Sequence, residues 1–201
     1  SALWAGPLCA QLLHRCGAQV TTVSSIRRPD GAQTGSPDFY RQLHTGHELL
    51  SLDFNDVAHR RHLAQLLIDA DVVIEASRPR ALVRLGLDRH SLSITKPQFW
   101  LSITAYGRTP PADQWVGFGD DVAASAGLLH WDEQHQPAFV GDAVADPLTG
   151  VYSALAVLDA IAQGDSGLLD FSMVNVARRC RQKIIGSGSL VTCPLQTPRL
   201  C

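Results

Sequence analysis

The residues best placed to do chemistry lie between positions 136 and 160, in QPAFVGDAVADPLTGVYSALAVLDA. Asp146 stands directly before Pro147. Val151, Ala154, Leu155, Leu158 and Ile161 then recur at helical spacing, which predicts a helix with the carboxylate at its N-terminus. Unpaired N–H groups and the positive end of the helix dipole favour the ionised form there, by about 0.3–1 kcal/mol at an exposed site. Two roles are open to this aspartate. Asp followed by Pro at the first helical position is an N-cap signature, and an ionised carboxylate at such a point is also a catalytic candidate. Asp142, four residues earlier, reads as a solvated or turn-forming acid.

Arginines form the second set of candidates. Arg78, Arg80 and Arg84 follow the apolar run DVVIEA, at the C-terminal end of an expected buried strand. Ligands gather at that edge in open α/β sheets, and the planar fork of a guanidinium suits phosphate. The cluster is therefore either an anion contact or a group of solvated charges, and the same alternatives hold for Arg27 and Arg28. His59 and His62 have a spacing that metal ligands use, but Arg60 and Arg61 separate them and no companion carboxylate pattern follows, so no metal site is expected. The five cysteines, Cys9, Cys16, Cys180, Cys193 and Cys201, include no CxxC pair and suggest neither a disulfide framework nor zinc. Cys9 and Cys16 read as small packing residues on one helix.

The elements that must position these groups alternate along the chain. GPLCAQLLHRCGAQVTTVSS reads as a helix with Leu8, Leu12, Leu13 and Cys16 on its apolar face, a stop at Gly17, and a strand through Val20 and Val23. Ser25 to Gly46 is a loop by composition. HELLSLDF predicts a short strand, and 55–70 a helix turning Val57, Leu63, Leu66 and Leu67 inward. DVVIEA and FWLSITAY read as parallel strands buried on both faces. Pro79 and Gly86 bound a short helix between them, and DVAASAGLL supplies a small-residue helix. GDSGLLDFSM supplies a further strand, a helix begins at Val174, and periodicity fails beyond Lys183. The order predicts an α/β fold, a three-layer domain with a mostly parallel sheet. With 45% hydrophobic residues, 18% charged residues and a net charge of −2, nothing attracts nucleic acid or a membrane surface, and the cytoplasm is the expected compartment. The sequence around GFG lacks the GxGxxG order of a dinucleotide fingerprint.

Taken in order, AGPLCAQLLHRCGAQV, SLDF, ADVVIEASRPRALVRLGL, LSITAYGR, VGFGDD, GDAVADPLTG and LLDFSM resemble the family III CoA transferases, the CaiB/BaiF family, over about residues 3 to 182. That family includes formyl-CoA transferases, carnitine CoA-transferases and α-methylacyl-CoA racemases. The resemblance implies a Rossmann-like large domain, an interlocked homodimer, and acyl-CoA and a carboxylic acid as substrates, with coenzyme A and no metal. It makes Asp146 the catalytic aspartate, whose carboxylate attacks the thioester to give a mixed anhydride and free CoA. Arg84 matches a CoA-contacting arginine, and Ala5, Leu52, Asn55, Ala76 and Ser77 fall on other CoA-contacting positions. Arg27, Arg28, Arg78 and Arg80 are expected to add phosphate contacts. A racemase-like member carries a histidine where Phe118 stands here, which disfavours racemisation; Asp120 and Asp121 are the nearby substitutes. Family members are much longer. Residues 1–183 are therefore expected to form the N-terminal part of the large domain and 184–201 an irregular tail, and a non-catalytic fragment is the remaining alternative.

Overall fold

The computed structural model describes residues 2–185. Helix α1 (Ala5–Arg15) leads into β1 (Thr21–Ser25), two short helices α2 (Ala32–Gly35) and α3 (Pro37–His44), and β2 (Glu48–Leu52). There follow α4 (Val57–Asp69), β3 (Val72–Glu75), α5 (Pro79–Leu85) and β4 (Phe99–Thr104). A 3-10 turn (Ala112–Gln114), α6 (Gly119–Ser125) and a hairpin of β5 (Leu129–Trp131) and β6 (Pro137–Phe139) precede α7 (Ala145–Gln163), β7 (Gly167–Ser172) and α8 (Met173–Ile185). Of the segment expected to be irregular, 184–201, the first two residues end α8 and the rest lies outside the described residues.

The α/β class and the parallel pairing are as expected. Strands β3, β4 and β7 form one parallel piece, β1 and β2 another, and only the β5–β6 hairpin is antiparallel among the described strands. Strand β4 is central, and all six of its residues are buried. Its register places Ile74, Leu101 and Leu169 side by side on one face, where Phe99, Leu101 and Ile103 join a core built from α1, α6, α7 and α8. Leu101 and Val157 are fully enclosed in it; burying each such side chain stabilises the fold by roughly 1.5–3 kcal/mol. The next register down, Glu75, Ser102 and Asp170, puts polar groups on the opposite face at the C-terminal edge. A second, smaller core of Leu52, Leu63 and Leu87 lies under β1, β2, α4 and α5.

Helices α1 and α7 meet closely. A Cβ on Gly150 would lie 2.9 Å from both the Ala5 carbonyl oxygen and Leu8 Cβ, so only glycine allows the approach. At the far end of α7, Gly164 takes φ +71° and closes the helix with its N–H on the Ile161 carbonyl.

Val57, expected to turn inward at the start of α4, is 52% exposed there, and three further local features differ from the sequence expectation. The 25–46 segment holds α2 and α3 rather than loop alone. Helix α3 starts on Pro37, carries Asp38 in its first turn paired to Arg41 at 2.9 Å, and buries Leu43; its eight residues are too few for periodicity to show against the Pro- and Gly-rich flanks. The β5–β6 hairpin, with three-residue strands exposed almost throughout, leaves no alternation to read. Cys16 lies beyond the last helical residue and is exposed, whereas Cys9 is enclosed in the core, where burial pushes its thiol up to about 12. Among the described residues, no helix is long and apolar enough to cross a membrane.

Candidate functional site

Helix α7 begins at Ala145 with Val144 in the capping position, so Asp146 is the second helical residue and not the cap. Its side chain turns toward α1 and α6, where its carboxylate accepts hydrogen bonds from the backbone N–H groups of Ala5 and Gly119. Burial pushes the Asp146 carboxyl from its ordinary 3.8 up to about 6. The two N–H groups pull the other way, and the nearby charges of Asp120 and Asp121 add to the rise. This corrects the expectation of a carboxylate favoured in its ionised form by a helix end. Desolvation by the surrounding chain outweighs the helix dipole.

Close approach to this carboxylate depends on Gly119. A Cβ there would lie 2.2 Å from Asp146 Oδ2 and 2.4 Å from the Ala143 carbonyl oxygen. The turn before α7 is also constrained. Ala143 has φ +43°, a region that disfavours a residue with a Cβ by about 1–2 kcal/mol. Its N–H donates to Asp120 Oδ1 at 2.7 Å, and its carbonyl accepts the Asp146 N–H at 2.8 Å. Asp121 accepts the Phe118 N–H at 2.7 Å and so closes the first turn of α6. Asp142 is exposed.

Asp146 lines a cleft of about 170 Å³ between the start of α1, the β3–α5 connection and the loop that enters α6. Of the sequence-derived candidates, the cleft brings together Asp146, Ala5, Ala76, Ser77 and Arg78. The Ser77 hydroxyl is buried and has no hydrogen-bond partner among the described residues. Arg80 stands beside the cleft and donates to Gln114 Oε1. Arg84 is exposed at the end of α5. Arg27, Leu52 and Asn55 lie at the C-terminal ends of β1 and β2, away from the cleft lining. Arg27 grips Asp53 with contacts of 2.8–3.0 Å, holding that carboxyl down at about 2, and the Asn55 N–H donates to the same aspartate at 2.9 Å. Leu52 belongs to the smaller core, and Arg28 is exposed. Arg27, Arg28, Asn55, Ala76, Ser77 and Arg78 follow the C-terminal ends of parallel strands, and Leu52 ends one, at the edge where α/β sheets bind ligands.

One polar assembly at this edge escaped the sequence reading. Arg108 Nη1 donates to Glu75 Oε1 at 2.8 Å and to Ser102 Oγ at 2.6 Å, while its N–H donates to Asp170 Oδ2 at 2.9 Å. Thr104 Oγ1 donates to Asp170 Oδ1 at 3.1 Å. The network ties the ends of β3, β4 and β7 together behind the cleft, whose lining includes Thr104 and Gly107. Its one sequence signal was an acid, Glu75, closing an otherwise apolar run.

Comparison with known proteins supplies the context for this geometry. Residues 1–188 match the family model described as CoA-transferase family III. A succinate–glutarate CoA-transferase of Agrobacterium fabrum is 28% identical over 192 residues, covering 86% of this chain and 48% of the relative. An acyl-CoA transferase of Fusarium pseudograminearum is 28% identical over 179 residues, covering 80% of this chain and 39% of the relative. Among solved structures, a CAIB/BAIF family protein from Brucella suis superposes with a TM-score of 0.81 at 26% identity, over 94% of this chain and 56% of the other. The chain thus spans between 39% and 48% of the length of these two curated relatives.

Proposed function

Because this chain belongs to CoA-transferase family III, we propose that it forms the nucleophile-bearing part of an acyl-CoA:carboxylate CoA transferase, with Asp146 as the attacking group. The observation that carries this reading is the position of the Asp146 carboxylate. It is partly buried, held by the Ala5 and Gly119 N–H groups, and shares a cleft with Ala76, Ser77 and Arg78. Above about pH 6 the carboxylate is ionised while its solvent shell is incomplete, a state suited to nucleophilic attack.

A carboxylate oxygen adds to the thioester carbonyl, the C–S bond breaks, and CoA leaves as its thiolate, with the acyl group held as an aspartyl anhydride. An anhydride is as activated as a thioester, so the step can run in both directions. The CoA thiolate then attacks the aspartyl carbonyl of the anhydride, breaking its C–O bond, so that the donor acid leaves and an aspartyl-CoA thioester remains. The acceptor carboxylate attacks that thioester and expels the thiolate. The thiolate's attack on the acceptor's acyl carbonyl in this second anhydride forms the new acyl-CoA and frees the aspartate. The helix N-terminus and nearby backbone N–H groups favour the oxyanion that develops on the attacked carbonyl. On this reading Arg78 and the Ser77 hydroxyl face the CoA moiety, with Arg80, Arg84, Arg27 and Arg28 arrayed along the same sheet edge for its phosphates. Ala5, Leu52, Asn55 and Ala76 complete that set as backbone and packing contacts. Racemisation has less support, since Phe118 brings no acid or base and the carboxylates of Asp120 and Asp121 accept backbone N–H groups.

A second copy of the chain would cover the outer face of α7, where Val151, Leu155, Leu158 and Ile161 are each at least 37% exposed. The reading is tested by incubating the folded chain with short acyl-CoAs and hydroxylamine. A hydroxamate mapped to Asp146 by peptide mass spectrometry, dependent on acyl-CoA and absent from Asp146→Asn, is the expected result. A folded chain that binds CoA and carries no such mark refutes it.

A further inference from the structure

We propose that Asp120 is a positioning residue for Asp146: its carboxylate holds the Ala143 turn in the conformation that seats the Asp146 side chain against Gly119, and it places a second negative charge beside that side chain. Three contacts form the chain of support. Asp120 Oδ1 accepts the Ala143 N–H at 2.7 Å, a short bond of the charge-assisted kind. Ala143 has φ +43°, which an alanine does not adopt unless it is held there. The Ala143 carbonyl accepts the Asp146 N–H at 2.8 Å and lies so close to Gly119 that a Cβ would come within 2.4 Å of it. Releasing the Asp120 contact frees Ala143 to relax, and the first turn of α7 moves with it.

The charges around Asp146 come from several elements. Helix α6 brings Asp120 and Asp121, and the cleft wall brings Arg78 from the β3–α5 connection and Asp113 from the 3-10 turn. Helix α1 contributes the Ala5 N–H. Asp121 is bonded to the Phe118 N–H and not to the Ala143 turn, so the two neighbouring acids are separable by mutation.

The test uses two substitutions at one position. Asp120→Asn keeps an oxygen for the Ala143 N–H and removes the charge, whereas Asp120→Ala removes both. Two quantities are read on the full chain: the titration midpoint of the Asp146 carboxyl, followed by 13C NMR of labelled aspartate and assigned with Asp146→Asn, and the rate of hydroxamate formation on Asp146. In Asp120→Asn the midpoint is expected to fall by about 0.5–1 pH unit, with the rate at pH 8 within roughly threefold of wild type. In Asp120→Ala the rate is expected to fall on the order of tenfold or more at unchanged circular dichroism. An unmoved midpoint in Asp120→Asn overturns the proposal, as does an alanine variant that labels as fast as the asparagine one. Should the alanine variant not fold, the asparagine variant carries the test through its midpoint. Only the rate arm rests on Asp146 being the nucleophile: a wild-type chain that forms no hydroxamate defeats that reading, while the NMR midpoint still decides the role of Asp120.

Discussion

Replacing Asp146 with asparagine should favour the folded chain more at neutral pH than in acid. The native carboxyl titrates near 6 against an ordinary 3.8, so the folded chain holds this proton more tightly than the unfolded chain. At 1.36 kcal/mol per pKa unit the difference is about 3 kcal/mol. The side chain is only partly enclosed, and solvent screening reduces the expected effect to about 1–3 kcal/mol. Below the unfolded value both states are protonated and nothing is lost. As pH rises from 3.8 to about 6 the unfolded state gives up its proton first, and wild-type stability falls across that window. Asparagine has no proton to release. The stability of Asp146→Asn relative to wild type should therefore climb by about 1–3 kcal/mol between pH 3.5 and pH 8, read from urea unfolding of both chains at each pH. Taking this difference cancels any change the amide makes to the two backbone N–H contacts, because that change is present at every pH. A flat difference would refute the desolvation reasoning. A difference that falls as pH rises would mean that the native chain stabilises the charge, as an ordinary helix cap does.

Gly119→Ala should lower stability by about 1–3 kcal/mol through overpacking and abolish labelling of Asp146, because its Cβ would lie 2.2 Å from Asp146 Oδ2; thermal melts and the hydroxamate assay check both. Arg108→Ala leaves the Glu75 carboxylate, 7% exposed, without its guanidinium. A loss of about 3–5 kcal/mol is expected, largely recovered in the Arg108→Ala, Glu75→Gln double variant, and unfolding curves for the cycle measure it. His47 gives an opposite pH signature to Asp146. Burial, then the rings of His44 and His14 at 5.7 and 5.4 Å, push its imidazole from 6.5 down to about 4. The unfolded chain takes up this proton first as pH falls, so stability is lost between 6.5 and about 4. A His47→Gln chain should lose less stability than wild type over that range; equal loss would show that His47 is not the group responsible.

What could be read from the sequence divides along the distance between interacting residues. The start of α7 was legible because Pro147 and the apolar repeat are local, and β4 was legible because FWLSITAY is apolar on both faces. The environment of Asp146 was not, since its two N–H donors come from Ala5 at the head of α1 and Gly119 at the head of α6. Burial from those distant segments reversed the sign of the effect that a helix end alone predicts. The arginines divide in the same way. Their position after strand ends follows from pattern, but the pairing of Arg27 with Asp53 and of Arg80 with Gln114 is set by how the elements pack. Helix α3 and the β5–β6 hairpin are shorter than any window in which periodicity accumulates, and their stability comes from contacts such as Phe39 edge-on to Trp4 at 5.0 Å.

The close meeting of α1 and α7 also orders events during synthesis. Helix α1 leaves the ribosome well before α7, with Cys9 and Leu13 on a face whose main partner, α7, does not yet exist. Roughly 140 more residues must be made before Asp146 and Gly150 arrive, which at about 5–20 residues per second takes on the order of 7–30 s. Through that interval the apolar face of α1 is open to wrong partners or to a holding chaperone. Closure by α7 then does two things in one step: it covers the first helix, and it brings the Asp146 carboxylate to the Ala5 N–H. The nascent chain thus brings Asp146 to the Ala5 N–H only when the apolar face of α1 is covered.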